Sequence, residues 1–295
     1  MVMDGEKLEL PAGMQGEVEP PAAGLDEVRA RHEANRLAWN EGAAFYTERW
    51  AKTLDFLRHG GSSLHPIERA HLGDLRSWCH TAVHLQCASG EDTLSLWNEG
   101  AARVVGIDIS DVHIANARRL GAALGAPAVW YRCDVLDAPA ELDGQADLVY
   151  TGQGALCWIH DLERWAAVVH RLLKPGGRFH VLDDHPVTYL FDMDAETLVA
   201  TGADYFRHAE ASRGWPASYI GDLGRPAGEH ARKHERLWSI AAVFQALRGT
   251  GLTIEHLGEH PDPYWPTFPH LRPELAARIP MTFSLLARRP LGGGD

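Results

Sequence analysis

Residues 82–97 read AVHLQCASGEDTLSLW: a short apolar run, a turn with one glycine, Gly90, and the opening of a helix. A strand–turn–helix of this kind presents the helix N-terminus to a ligand, and its free N–H groups ordinarily attract phosphate. Here Glu91 and Asp92 already fill that position. They suit the positive end of the helix dipole and would repel a pyrophosphate. The loop from Gln86 to Asp92 also lacks the repeated glycines that let backbone approach a dinucleotide. A cationic or phosphate-free nucleoside cofactor fits better. Asp108 follows Gly90 by 18 residues at the end of the next apolar run. This is close to the roughly 20-residue spacing at which an acid meets ribose hydroxyls, although an Asp there can also cap the following helix.

Outward from this stretch the elements alternate. Strands are predicted over 81–87, 102–110, 128–135, 146–154 and 178–185, with helices from 91, over 111–125 and over 161–177, the last stopped by Pro175 and two glycines. Such alternation means an α/β fold, a parallel sheet with helices on both faces, whose strand ends share one ligand-binding edge. Residues 25–58 read as one helical run, closed by Gly60 and Gly61, within an N-terminal helical extension over 25–80. Residues 1–24 are acidic with Pro and Gly and read as a flexible tail. Residues 186–233 and 261–279 read as irregular, aromatic-rich insertions that form a lid over a core at 81–185. A helix over 234–251 and strands over 252–260 and 280–289 complete a single domain over 25–295.

The chain has 295 residues and a formal net charge of −12, which argues against a nucleic-acid surface. No apolar run is long enough for a membrane span, and the N-terminus lacks the layout of a secretory signal. The four cysteines, Cys79, Cys87, Cys133 and Cys157, form no CxxC pair and read as reduced thiols of a cytoplasmic protein, monomeric or homodimeric.

Four segments in order, VHLQCASGEDT (83–93), VVGIDIS (104–110), YRCDVLD (131–137) and LLKPGGRFHV (172–181), resemble the motifs of class I S-adenosylmethionine (SAM)-dependent methyltransferases. The variant LHLQCxxGxDTLSL, with ALCWIxDL, an HP pair after the fifth strand and NRLAWN (35–40), is similar to a bacterial small-molecule subfamily. Gln86 and Ala88 stand where many members have glycine, and His84 replaces a common acid. The resemblance implies a Rossmann-like sheet with an antiparallel last strand, and SAM as cofactor. It places Gln86, Cys87, Ala88 and Gly90 at the methionine moiety and Asp108 on both ribose hydroxyls. Ile109 would pack on the adenine, and Asp134, with Cys133 and Val135 beside it, would take the adenine amino group. Thr151, Gly152 and Gln153 would line the sulfonium.

Methyl transfer from a sulfonium is an in-line displacement in which the protein mainly aligns the reactants and excludes water. A base is needed only for an acceptor that does not lose its proton unaided. His185 is the first candidate for that base and His160 the second. No metal is expected, because Asp183 and Asp184 point to opposite faces if both lie on a strand. Tyr46, Trp158, Tyr189 and Trp215 are the expected acceptor contacts, around a small molecule methylated at O, N or S. A non-catalytic SAM-binding protein and an NAD(P)-dependent oxidoreductase are the alternatives.

Overall fold

The computed structural model describes residue 10 and residues 14–206, 209–216 and 218–292. The chain opens with a strand, β1 (Met14–Val18), then α1 (Leu25–Glu48), α2 (Trp50–Arg58) and α3 (Pro66–Leu72). The alternating core follows: β2 (Thr81–Leu85), α4 (Glu91–Asn98), β3 (Arg103–Asp108), α5 (Asp111–Leu124), β4 (Ala128–Arg132), β5 (Ala146–Gly152), α6 (Leu162–Leu172) and β6 (Leu173–Asp184). Next come β7 (Ala209–Gly214), β8 (Lys233–Arg236), α7 (Ile240–Gly249), β9 (Thr253–His260), α8 (Pro273–Ala276) and β10 (Thr282–Arg288).

Seven strands form the main sheet in the order β4-β3-β2-β5-β6-β10-β9. Strands β2 to β6 run parallel, and β10 is antiparallel to both its neighbours. This is the Rossmann-like sheet, flanked by helices, that the resemblance implies. The middle strand of its five parallel ones, β2 (TAVHL), is buried along its whole length, as a parallel strand covered on both faces must be. The one polar side chain in its middle, His84, is satisfied by Thr93 Oγ1 at 2.8 Å, and burial pushes its pKa down to about 3. The strands on either side of β2, namely β3 and β5, receive their connections from opposite directions. A crevice therefore opens at the carboxyl end of β2, where the strand order reverses. Gly90 caps α4 with φ +84°, and a Cβ there would lie 2.6 Å from the Trp130 ring. The single glycine of the turn is thus required by a left-handed backbone and by the indole packed over it.

Several expectations need correction. Part of the stretch read as a flexible tail is β1, which pairs with β7; residues 1–9 and 11–13 lie outside the described residues. The insertion at 186–233 is not wholly irregular, because β1, β7 and β8 form a second, antiparallel sheet. The strand β8 takes Lys233–Arg236, so the helix expected from 234 starts at Ile240. The run over 25–58 divides at Arg49. The helix expected over 161–177 ends at Leu172, and the KPGG segment lies in a bulge of β6, where the partners of β5 jump from Leu173 to Arg178. Proline lacks the N–H a helix needs there. No described helix is long and apolar enough to cross a membrane.

Candidate active site

A cavity of about 220 Å³ opens at the carboxyl edge of the main sheet, between the strand ends, α1 and the lid sheet. Gln86, Ala88, Asp108, Ile109, Asp134, Val135, Gly152 and Gln153 line it, each at or just past the end of a core strand. The three described non-glycine residues with positive φ are Gln86 (58°), Ala88 (44°) and Gln153 (56°), and all three lie on this wall. The left-handed backbone is therefore retained although the glycines are not. Each such residue costs about 1–2 kcal/mol relative to glycine. Ala88→Gly should accordingly raise stability by about 1 kcal/mol and the melting temperature by roughly 3 °C, read by calorimetry. A lower melting temperature would contradict the strain at this position.

Asp108 is buried. Its Oδ2 accepts the Ala88 N–H at 2.8 Å and its Oδ1 the Ser110 N–H at 2.8 Å. Burial raises its pKa to about 6 against the pull of these backbone donors. A carboxylate has about four lone-pair sites; Ala88 and Ser110 take one on each oxygen and the Ile109 amide also favours the charged form, which leaves part of the acceptor capacity for a ligand. Asp134 is held from α1: His32 Nδ1 lies 2.8 Å and Arg29 Nη1 3.1 Å from its Oδ2, while the Leu136 N–H donates to Oδ1 at 2.9 Å. Burial would raise its pKa, but the His32 hydrogen bond and the nearby positive charge hold it below the usual carboxylate value. The His160 N–H donates to His32 Nε2 at 3.2 Å, which leaves the His32 proton on Nδ1, toward Asp134.

The opposite wall is aromatic. Trp39 of α1 packs against His113, Trp158 and Trp215 with ring centres 5.4, 5.2 and 4.6 Å apart. Tyr46 packs on His113 at 5.0 Å, and its hydroxyl meets that of Tyr219 at 2.8 Å. Tyr189, Tyr264 and Trp265 extend the wall, so the expected contacts Tyr46, Trp158, Tyr189 and Trp215 all border the cavity. Asn35 locks α1 to the lid in both directions: its Nδ2 donates to the His234 carbonyl at 2.9 Å, and its Oδ1 accepts the His234 N–H at 2.6 Å. Asn40 Oδ1 accepts the Ser110 hydroxyl at 2.7 Å and the Val112 N–H at 3.3 Å. The polar residues of NRLAWN thus fasten α1 over the crevice, and Trp39 fills its inner face.

Other expected residues lie elsewhere. His185 and His160 do not line the cavity. His185 caps the turn at 186–190, and its Nε2 lies 2.8 Å from Glu259 of β9. His160 Nε2 donates to the His234 carbonyl at 3.2 Å. Cys87, Gly90, Cys133 and Thr151 stand behind the wall; Thr151 donates to the Leu85 carbonyl at 3.1 Å. Sequence reasoning missed His32, His113, Asp184 and Lys233 as cavity residues, all at the cavity with Trp39. Asp184 accepts from Trp265 Nε1 at 3.1 Å, and burial together with the charge of Asp183 raises its pKa to about 7. Trp39 lies in the NRLAWN stretch, whereas the other four carry no local sequence signal for the cavity. Among the described residues no three His, Cys, Asp or Glu side chains form a metal-binding group.

Residues 82–177 match the family model of a methyltransferase domain. The chain is 36% identical over 110 residues to the 2-phytyl-1,4-naphtoquinone methyltransferase of Nostoc punctiforme, covering 36% of this chain and 47% of that protein, so it spans about half the length of that relative. Among solved structures, the S-adenosylmethionine dependent methyltransferase from Mesorhizobium loti superposes with a TM-score of 0.51 at 26% identity, over 78% of this chain and 99% of the other. The geranyl diphosphate C-methyltransferase from Streptomyces coelicolor A3(2), solved with S-adenosyl-L-homocysteine, gives a TM-score of 0.51 at 16% identity, over 76% of this chain and 75% of that one, and shares the fold.

Proposed function

We propose that this chain, a SAM-dependent methyltransferase by its domain, its fold and its relatives, transfers the methyl group to an O, N or S atom of a small acceptor enclosed under the lid. The observation that carries the reading is Asp108, a buried carboxylate at the crevice whose oxygens keep acceptor capacity beyond their backbone donors. That is the complement of a vicinal ribose diol. Ile109 and Val135 give the adenine an apolar slot, with Asp134 at its edge. Gln86, Ala88, Gly152 and Gln153 surround the methionine and sulfonium positions. Bound in this way, SAM supplies a methyl group already activated on sulfur.

The chain then has three tasks. The Trp39–Trp158–Trp215 wall excludes water and holds a flat acceptor in line. Tyr46 and Tyr219 join α1 to the lid across the mouth. Asp184, ionising near neutral pH beside the acceptor position, takes the proton of an acceptor that must lose one. In this role it replaces His185, whose ring is engaged with Glu259.

Calorimetric titration with SAM, with NAD as control, tests the reading. Micromolar SAM binding without an NAD response is expected; NAD binding without SAM binding would overturn it. His185→Ala should leave SAM affinity within about twofold while lowering stability by about 1 kcal/mol through loss of the turn cap. A large drop in SAM affinity would return His185 to the site.

A further inference from the structure

The lid sheet turns one polar face toward the cavity. Antiparallel partners share a face, and Ser212 pairs with Lys233 while Glu210 pairs with Glu235. Lys233 is 1% exposed yet borders the cavity. Its ammonium donates to Ser212 Oγ at 2.5 Å and Glu235 Oε1 at 2.7 Å. It also stands 5.7 and 5.4 Å from the ring centres of Trp158 and Trp215. An ammonium has three N–H donors. Two have oxygen partners, and the third has no hydrogen-bond partner among the described residues, on a wall shared with Trp158, Trp215, Glu210 and Asp184.

A buried charge of this kind is costly unless its remaining donor is met. The place beside Trp158 and Trp215 that would suit an organic cation is also taken by the chain's own cation. An acceptor carrying an ammonium would meet like charge at that place, although Glu210, Glu235 and Asp184 also border the cavity. An acceptor with an oxygen lone pair would complete the lysine's hydrogen bonds.

We propose that Lys233 is a specificity-determining residue that donates its third N–H to a carbonyl or hydroxyl oxygen on a flat, otherwise apolar acceptor stacked among Trp39, Trp158 and Trp215. This inference rests on the methyltransferase reading and adds the acceptor's chemical class. The lysine lies on the lid, away from the strand ends that hold the cofactor. Its loss should therefore alter acceptor recognition and leave SAM affinity intact.

The test uses three probes with one bicyclic skeleton: 1-tetralone with a ketone, tetralin without a heteroatom, and 1-aminotetralin, a cation at neutral pH. Each is titrated into the full chain saturated with S-adenosylhomocysteine, with tryptophan fluorescence as readout. Wild type should bind the ketone about tenfold more tightly than the hydrocarbon, as one added hydrogen bond to a charged donor implies. Lys233→Met should abolish that difference and leave tetralin affinity and SAM affinity unchanged. Because Lys233→Met leaves Glu235 without its cation, the double variant Lys233→Met/Glu235→Gln is measured beside it and should behave alike. Equal binding of ketone and hydrocarbon to wild type, tightest binding of the amine, no ketone binding up to its solubility, or discrimination that survives in both variants would overturn the proposal. Failure of S-adenosylhomocysteine and SAM to bind wild type would instead overturn the methyltransferase reading.

Discussion

Asp108→Ala should weaken SAM binding by about 100-fold. In the proposed assignment the acceptor capacity left on the carboxylate would take the two ribose hydroxyls, and hydrogen bonds to a charged acceptor contribute about 1.5–3 kcal/mol apiece. Their joint loss comes to about 3 kcal/mol, on the order of 100-fold in affinity. The variant also frees the Ala88 and Ser110 N–H groups, so its melting curve is measured alongside the titration to separate local loss from unfolding. The wild type offers an independent check. Burial raises the Asp108 pKa to about 6, and the bound form requires the ionised carboxylate. Below that pH the free protein carries a proton that binding must release. The dissociation constant should then rise about tenfold per pH unit, whereas an ordinary carboxylate would hold its affinity to about pH 4. An affinity unchanged in Asp108→Ala, or flat between pH 7 and about 5, would remove Asp108 from the ribose position.

Asp183→Ala should produce the largest loss of stability, about 4 kcal/mol, with a fall in melting temperature of roughly 10 °C. The Asp183 carboxylate accepts four backbone N–H groups. Oδ1 takes Gly154 at 2.9 Å and Asp184 at 2.7 Å, and Oδ2 takes Ala155 at 3.1 Å and Leu156 at 2.9 Å. Truncation leaves these buried donors unmet, each costing about 1–3 kcal/mol before water enters to recover part of the loss. The loop so held carries Gln153, Gly154, Cys157 and Trp158 to the cavity wall, so SAM affinity should fall as well. Asp183→Asn keeps one acceptor oxygen and should recover about half the stability. Differential scanning calorimetry of both variants checks the ordering. A melting temperature within about 2 °C of wild type for Asp183→Ala would show that the loop does not depend on this carboxylate.

The order of strands and helices from β2 to β6, the edge at which the crevice opens, and the places of Gln86, Ala88, Asp108, Asp134 and Gln153 were all legible in the sequence. The strand order and Asp108 depend on chemistry within a few residues, an apolar run, a turn and an acid after a strand, while Gln86, Ala88 and Asp134 were placed by the family resemblance. The motif NRLAWN likewise held Trp39 and the two asparagines that fasten α1, although their contacts lie far along the chain. What the sequence left open at Asp183, Asp184 and His185 was direction. On a sheet buried on both faces, polarity does not alternate in a way that tells one face from the other. Only the packing against β10 and the 153–156 loop sends Asp184 to the cavity, Asp183 to the loop amides and His185 to Glu259. The lid was hidden for a related reason. Strand β1 pairs with residues nearly two hundred positions away, and β propensity reflects the partner and the surface a strand meets more than its own residues. Local chemistry therefore determined the strand-end wall of the cleft, proposed to hold the cofactor, while long-range pairing decided the facing wall, proposed to hold the acceptor, because that wall exists only once α1, β1, β7 and β8 have come together.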